Sequence, residues 1–143
     1  MSTTKPLEGI KVIEISTIIT ASLSAMMLSD QGAEVIKIEQ TGFGDPLRYL
    51  GTQKGGISAI FANTNRGKRS VELDLKIESD LEQAKKLISE ADVLINNFRP
   101  GVMDSLGLGK EDCKTLNKDL IYVAITGFGK EGPYANAPAY DHV

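Results

Sequence analysis

Three basic residues, Arg66, Lys68 and Arg69, lie within four positions of one another, in the stretch Asn-Arg-Gly-Lys-Arg-Ser at residues 65–70. Arginine side chains pair with phosphate oxygens through two parallel hydrogen bonds, so this composition suits the binding of a phosphate group. The same composition is equally typical of a solvated basic turn that binds nothing. The residues alone leave both interpretations open.

A second stretch, Asn-Phe-Arg-Pro-Gly at residues 97–101, also suits an anionic ligand. Proline is favoured as the first residue of a helix, so we expect Pro100 to begin a short one. The unpaired N–H groups of that first turn would attract an anion together with the side chain of Arg99. The alternative is a strand-to-helix turn with an exposed arginine.

Residues 127–132, Gly-Phe-Gly-Lys-Glu-Gly, match the glycine spacing of dinucleotide-binding loops. Such a loop opens a helix at its last glycine, whereas Pro133 follows here. The context therefore disfavours NAD binding. It leaves two interpretations, a glycine loop that approaches another ligand and a plain surface turn.

The adjacent pair Asp141 and His142 is the remaining acid–base motif. His142 is the only histidine, and no partner for a catalytic triad can be identified. We interpret His142 as structural. With Cys113 as the only cysteine, the sequence offers neither an internal disulfide nor a cluster of metal ligands.

Five apolar runs, rich in Val, Ile and Leu, are predicted to be the strands that position these motifs. They span residues 11–16, 34–39, 70–75, 92–97 and 120–126. The second and third runs alternate apolar and polar residues, which predicts one exposed face, and the other three read as central parallel strands. Helices are predicted over residues 21–31, 79–91, 102–106 and 110–118, with Gly32 ending the first and Ser79 capping the second. This order predicts an α/β fold with a mostly parallel sheet and flanking helices.

Residues 41–69 contain no clear strand or long helix, and a connection of that length is usually functional or disordered. The segment follows the carboxyl end of the second strand. The loops at residues 17–20, 98–101 and 127–141 follow other strands at the same edge. Ligands of open α/β sheets bind at this edge, so we expect the site there.

The overall composition fits one globular domain. The chain has 143 residues, 41% of them apolar and 24% charged, and a net charge of −3. This charge disfavours a dedicated nucleic-acid partner. We find no signal peptide and no apolar run long enough to cross a membrane. The single cysteine suits a reducing compartment, which predicts a cytoplasmic protein.

Taken together, the segments resemble the family III CoA-transferases, which include formyl-CoA and carnitine CoA-transferases and α-methylacyl-CoA racemase. The resemblance runs from about Pro6 to Val143, with the motifs in family order. They are PLEGIKVIEIS (6–16), GAEVIKIE (32–39), GDPLR (44–48), NRGKRSVELDLK (65–76), ADVLINNFRPGVMDSLGL (91–108), LIYVAITGFGKEGPY (120–134) and PAYD (138–141).

The resemblance implies a Rossmann-like large domain that binds CoA, a smaller domain, and homodimers whose chains interlink like rings. Residues 1–143 would form the N-terminal part of the CoA-binding domain. No permanently bound cofactor is implied, since acyl-CoA is a substrate and a carboxylic acid is the acceptor. The motif matches place the CoA contacts on Ile19, Thr20, Gln40, Leu73, Asp74, Leu75, Lys76, Asn97, Phe98, Arg99, Ser105, Pro138, Ala139, Tyr140 and Asp141. Gln40 and Ser105 stand where some relatives have a basic residue.

The resemblance also implies the chemistry. The nucleophile of the family is an aspartate in a Gly-Asp motif, which would lie beyond Val143, so we expect residues 1–143 alone to be inactive. Asp141 is expected to orient the substrate. Racemases of the family have a histidine immediately before this position, where Tyr140 stands with an ordinary pKa of about 10, which favours transferase over racemase. A racemase and an inactive CoA-binding remnant remain the alternatives.

Overall fold

Five parallel strands form the central sheet of the chain, of which the structure, a computed structural model, describes residues 4–139. The strand order is β5-β2-β1-β6-β7. The strands are β1 (Lys11–Ile15), β2 (Glu34–Glu39), β5 (Arg69–Glu72), β6 (Val93–Asn96) and β7 (Ile121–Ala124). The predicted α/β fold with a parallel sheet is confirmed, and each of the five predicted runs contains a strand or most of one.

Helices cover both faces of this sheet. They are α1 (Thr20–Asp30), α2 (Ala59–Asn65), α3 (Glu78–Ser89), α4 (Val102–Ser105) and α5 (Lys110–Leu116). One core cluster joins α1 to the sheet through Val12, Ala21, Ala25, Val35 and Ile95. The other joins α3, α4 and α5 to the opposite face, and its members include Ile13, Leu94, Ile88, Met103 and Cys113. Alternate residues of β1 and β2 therefore serve different cores, as the pleat of a strand requires.

The segment between β2 and β5 is more ordered than the sequence predicts. It contains a short 3-10 helix (Pro46–Tyr49), the two-stranded hairpin β3 (Gln53–Lys54) and β4 (Ile57–Ser58), and α2. Ser58 caps α2, since its hydroxyl accepts a hydrogen bond from the N–H of Phe61 at 3.3 Å. The sequence does not predict this short helix, because its cap and its tertiary packing stabilise a stretch, AIFANTN, in which Asn, Thr, Phe and Ile are only moderate helix formers.

Three local predictions also need correction. In β2, Lys37 and Glu39 are buried rather than exposed, because ionic partners surround both side chains. Ser79 does not cap α3, which begins at Glu78 after Ile77 with no side-chain cap. The strand β7, predicted to be central, is the outer strand of the described sheet, with Ile121 59% exposed.

The sheet order places a switch point between β1 and β6. The chain builds outward from β1 through β2 to β5, and then crosses to the other side of β1 with β6 and β7. In such sheets the loops after the two strands at the switch point diverge and leave a crevice. The loops after β1 and β6 therefore border the natural ligand position. Within residues 4–139, no helix has the length and apolar character needed to cross a membrane.

We predict that Gly32→Ala destabilises the protein more than Gly9→Ala does. Both glycines have a positive φ, +106° and +89°, a conformation that disfavours any other residue. A Cβ at Gly32 would lie 2.6 Å from the Cβ of Lys5, whereas nothing lies within 4 Å of a Cβ at Gly9. We expect losses in the free energy of unfolding of about 1 kcal/mol for Gly9→Ala and about 2 kcal/mol or more for Gly32→Ala. Urea denaturation of the full-length gene product measures both, and equal losses would contradict the predicted clash.

Candidate functional site

Four buried charged side chains lie between the sheet and the helices α1 and α2. We call Glu14, Lys37, Asp45 and Lys68 the ionic cluster. Glu14 and Lys37 are register partners on β1 and β2. Asp45 caps the 3-10 helix, and Lys68 directly precedes β5. The cluster contains two carboxylates and two ammonium groups, so its charges balance.

Lys37 is the centre of the ionic cluster. Its ammonium nitrogen Nζ lies 2.6 Å from Glu14 Oε1 and 2.9 Å from Asp45 Oδ2. The Glu14 contact is an aligned hydrogen bond, whereas the Asp45 contact is a charge pair without hydrogen-bond alignment. Lys37 also donates to the hydroxyl of Ser22 at 3.0 Å and to the carbonyl of Ser16 at 3.3 Å. A buried ammonium needs such partners because unpaired burial of a charge is very costly.

Lys68 supplies the second cation. Its Nζ donates to Glu14 Oε2 at 2.7 Å, to the carbonyl of Ser22 at 2.8 Å and to Asn65 Oδ1 at 2.9 Å. Burial lowers the pKa of Lys68, and its pairing with Glu14 offsets this only in part. Burial alone would raise the pKa of Glu14, but the charges and hydrogen bonds of Lys37 and Lys68 outweigh it and hold this pKa below its usual range. Through its contacts with Glu14, Ser22 and Asn65, Lys68 joins α1 and α2 to the central strand β1.

A second ion pair, Glu39 with Arg48, lies next to the ionic cluster. The guanidinium of Arg48 donates to both carboxylate oxygens, at 2.8 and 2.7 Å, and stacks 3.9 Å from the ring centre of Phe61. Glu39 also accepts from Ser70 Oγ at 2.6 Å and from the N–H of Asp45 at 2.8 Å. Burial would raise the pKa of Glu39, but these hydrogen bonds outweigh it and lower the pKa to about 2.

The loop after β1 is held from two sides. Asn97, at the end of β6, accepts from the N–H of Thr17 at 3.1 Å and donates to its carbonyl at 2.8 Å. Asn97 also donates to the hydroxyl of Thr20 at 3.0 Å. Asp45 accepts from the N–H of Ile18 at 3.1 Å. The two loops of the switch point therefore form one connected structure at the carboxyl edge.

The structure brings most of the predicted CoA contacts to this edge. Ile19 and Thr20 follow β1, Gln40 follows β2, residues 73–76 follow β5, and residues 97–99 follow β6. The N–H of Leu73 donates to the carbonyl of Glu39 at 3.0 Å, which places it beside Gln40. Adjacent strands lie about 4.8 Å apart, so the positions from β5 to β6 extend over about 14 Å. An elongated ligand could lie along them.

The remaining predicted contacts are less connected to this edge. Ser105 is exposed on α4, and its hydroxyl donates to the carbonyl of Val102 at 2.7 Å. Pro138 and Ala139 follow β7, and Ala139 packs so closely on Gly127 that a side chain at residue 127 would collide with it. Tyr140 and Asp141 lie outside the described residues, as does His142. Residues 127–139 contain no helix, which agrees with the prediction against a dinucleotide-binding loop.

The three cations of the basic stretch at residues 65–70 all lie next to carboxylates. Lys68 belongs to the ionic cluster, and Arg66 pairs with Asp30 at 2.5 Å. Arg69 pairs with Glu34, at the amino end of the sheet. All three cations therefore have carboxylate partners. This finding favours neither of the two sequence interpretations in full, since the turn is basic but only partly solvated.

The stretch at residues 97–101 also differs from its prediction. Pro100 does not begin a helix, because α4 starts at Val102 after Gly101 and has only four residues. A helix this short provides no anion site of its own. The side chain of Arg99 is exposed and makes no ion pair within residues 4–139. It is a cation at the carboxyl edge whose charge remains available to a ligand.

A cavity of about 90 Å³ lies beside the ionic cluster and is lined by Lys37, Glu39 and Arg48 among others. A cavity of about 270 Å³ is lined by Lys11, Glu34 and Arg69 among others, so it lies at the amino end of the strands and away from the switch point. No group of three or more His, Cys, Asp or Glu side chains in residues 4–139 is placed to hold a metal ion. Cys113 is buried in the core, where burial raises its pKa to about 11 and keeps the thiol protonated.

Comparison with known proteins decides the family. The model of CoA-transferase family III matches residues 7–143. This chain belongs to CoA-transferase family III. A relative named acetyl-CoA:oxalate CoA-transferase, from Acetobacter aceti, is 43% identical over 138 residues, which are 96% of this chain and 36% of that protein. Human succinyl-CoA:glutarate CoA-transferase is 36% identical over 144 residues, covering all of this chain and 33% of that protein.

A solved structure gives the same result for the fold of this family III chain. The crystal structure of a CaiB/BaiF family protein from Brucella suis superposes with a TM-score of 0.91 at 42% identity, over 97% of this chain and 38% of that one. The family resemblance and the Rossmann-like sheet expected from sequence are thereby confirmed. The chain spans about a third of the length of the curated relatives it matches.

Sequence reasoning missed the residues that hold the edge in place. Lys37 and Asp45 are separated along the chain from their partners, and nothing in their local pattern marks them as buried. One signal was available for Asp45, since it lies in the GDPLR stretch that carries part of the family resemblance. The local pattern of this stretch does not indicate that its aspartate is buried beside Lys37.

We predict that Glu39 makes stability depend on pH in the acid range. A carboxylate whose pKa is lowered by folding stabilises the protein above its unfolded pKa, about 4.5, and loses that contribution as the pH falls toward about 2. The difference in free energy of unfolding between wild type and Glu39→Gln should therefore be large at pH 6 and should decrease as the pH falls from 4.5 to 2. Urea titrations of the full-length gene product at several pH values measure it. Glu34→Gln, which removes an exposed carboxylate, is the control, and a difference independent of pH for Glu39→Gln would contradict the prediction.

Proposed function

We propose that the full-length protein moves CoA from an acyl-CoA to a carboxylic acid, and that residues 1–143 supply part of its CoA-binding domain. The observation that carries this proposal is membership of CoA-transferase family III over residues 7–143. The geometry supports it because most of the predicted CoA contacts follow parallel strands at one edge. Relatives named for acetyl-CoA with oxalate and for succinyl-CoA with glutarate suggest small carboxylic acids as acceptors.

The proposed CoA site extends along the carboxyl edge from β5 to β6. Lys76 and Arg99 are exposed there and can meet phosphate groups, while Ile19 and Phe98 are partly exposed and offer apolar surface and backbone groups. Gln40 and Ser105 bring no positive charge, so the cationic contribution at this edge is small. The site binds CoA as a substrate and does not retain it between turnovers.

The proposed reaction proceeds through a covalent aspartyl intermediate, with the aspartate supplied from outside these 143 residues. The carboxylate attacks the thioester carbonyl and the C–S bond breaks. CoA thiolate departs, and a mixed anhydride of the aspartate and the donor acid remains. The thiolate then attacks the aspartyl carbonyl, which releases the donor acid and forms an aspartyl-CoA thioester. The acceptor carboxylate attacks the carbonyl of this thioester, which expels CoA thiolate and forms a second mixed anhydride. The thiolate then attacks the acceptor's carbonyl, which forms the new acyl-CoA and releases the aspartate carboxylate. Two moderate steps replace one difficult step at each stage.

A racemase of the same family is the second candidate, and an inactive CoA-binding remnant is the third. A racemase must remove and return a proton next to the thioester. Tyr140, where such enzymes have a histidine, suits this poorly at neutral pH because its ordinary pKa is about 10. A remnant would bind CoA without turnover. The proposal also includes a cytoplasmic location and a homodimer of interlinked chains. Sedimentation analysis of the full-length gene product would test the dimeric state.

The deciding experiment incubates the full-length gene product with acetyl-CoA or succinyl-CoA and a panel of acids that includes oxalate, glutarate and malate. Chromatography detects any new acyl-CoA, and hydroxylamine should inactivate the enzyme only after acyl-CoA is added, by trapping the aspartyl thioester. Residues 1–143 expressed alone should give no transfer. Epimerisation of a 2-methylacyl-CoA without transfer would instead indicate a racemase. CoA binding without either reaction would indicate the remnant.

We further predict that Arg99→Ala weakens CoA binding about tenfold or more. A charged hydrogen bond contributes about 1.5–3 kcal/mol, and the guanidinium is exposed at the edge where the phosphates are proposed to bind. Lys118→Ala is the matched control, because Lys118 is an exposed cation before β7, at the opposite end of the strands. Titration calorimetry with CoA measures both dissociation constants. Equal values for the two variants would count against a phosphate contact at Arg99.

A further inference from the structure

Ile18 has an unusual backbone conformation at the switch point. Its φ is +65°, and it is the one non-glycine residue with a positive φ within residues 4–139. Branched side chains rarely adopt this left-handed conformation, because their Cβ crowds the backbone. A conformation of this kind persists only where surrounding contacts enforce it, and such positions concentrate at functional sites. Ile18 directly precedes Ile19 and Thr20, where α1 begins.

Two side chains enforce the conformation of Ile18. Asn97 binds both backbone groups of Thr17, which fixes the residue before Ile18. Asp45 Oδ1 accepts from the N–H of Ile18 itself at 3.1 Å. Asp45 lies 27 positions away along the chain, so this contact is tertiary and does not form as part of a local turn. It joins the loop after β1 to the segment between β2 and β5.

Asp45 is itself rigidly placed. Its side chain is fully buried, and Oδ1 also accepts from the N–H of Leu47 at 2.8 Å as the cap of the 3-10 helix. Its other oxygen faces Lys37 Nζ at 2.9 Å. The same ammonium group donates to the carbonyl of Ser16, just before the loop. The pair Lys37–Asp45 therefore contacts the loop backbone on both sides of Thr17.

We propose that Asp45 is a positioning residue that holds Ile18 in the left-handed conformation and thereby presents Ile19 and Thr20 to the acyl-CoA. This inference rests on the proposed function for the identity of the ligand. Asp45 is buried beneath the loop and does not touch the substrate, so it acts through the backbone of Ile18. Its loss should loosen the loop and weaken CoA binding beyond any general loss of stability.

A double-mutant cycle on the full-length gene product separates positioning from stability. Glycine adopts a positive φ without strain. In the Ile18→Gly background the hydrogen bond from the backbone N–H to Asp45, which we call the clamp, is therefore less important for holding this conformation. Asp45→Ala should raise the dissociation constant for CoA about tenfold in the wild-type background and at most about threefold in the Ile18→Gly background. Asp45→Ala removes the same charge beside Lys37 in both backgrounds, so the effect of that charge on CoA binding cancels when the two fold-changes are compared. Equal fold-changes, or an unchanged constant in a folded Asp45→Ala protein, would overturn the proposal.

A matched control and a second variant complete the cycle. Asp112 also accepts a backbone N–H, that of Gly109 at 3.1 Å, but on the opposite side of the sheet, so Asp112→Ala should show no coupling to Ile18→Gly. If Asp45→Ala does not fold, Asp45→Leu takes its place with the same expected coupling, because leucine is close to aspartate in shape and offers no acceptor for the N–H of Ile18.

Hydrogen exchange distinguishes failure of this inference from failure of the proposed function. The amide of Ile18 should exchange at least about tenfold faster in Asp45→Ala than in wild type, whether or not CoA binds. Unchanged exchange would overturn the clamp. Faster exchange in a protein that binds no CoA would support the clamp and overturn both its assigned ligand and the proposed function.

Discussion

The buried ammonium group of Lys37 is the constraint on which the surrounding structure depends. A charge fully removed from water is stable only when carboxylates and other acceptors surround it, and removing one partner of such a pair commonly costs about 3–5 kcal/mol. Lys37 lies on β2, and its partners come from β1, from α1 and from the segment after β2. One side chain therefore requires four parts of the chain to be in register at once. The hydrophobic cores on the two faces are less selective, because apolar contacts are not directional.

The same constraint reaches the functional edge through short connections. Lys37 holds Asp45, Asp45 holds the N–H of Ile18, and Asn97 ties the loop after β1 to the end of β6. Each connection is a hydrogen bond or ion pair with a defined direction. The position of the edge loops thus follows from an electrostatic requirement in the interior, and loops that would otherwise be mobile gain a fixed geometry.

The parts that were predictable from sequence are those that local patterns determine. The apolar runs indicated the five parallel strands, Gly32 indicated the end of α1, and the strand ends indicated the edge. The ionic cluster was not predictable in this way, because Lys37 and Lys68 lie 23 and 54 positions from Glu14. In a strand, the alternation of apolar and charged residues looks the same whether the charged face meets water or buried partners. The helix α2 was missed for a related reason, since its stability comes from a cap and from packing against α1 rather than from helix-forming residues.

The carboxylate partners of the basic stretch at residues 65–70 show why a high density of basic residues is a weak guide to a binding site. Its three cations are paired with Glu14, Asp30 and Glu34. Only the pair of Lys68 with Glu14 is buried, and it joins the approach to β5 to β1. The charge that remains available at the carboxyl edge comes instead from Lys76 and Arg99, which are exposed and make no ion pair within residues 4–139. Whether a cation already has a buried carboxylate partner is a property of the fold, and exposed pairs within about 4 Å contribute little. For a CoA ligand at this edge, most of the recognition would then come from backbone groups of the loops, and their fixed geometry matters more than the number of basic residues.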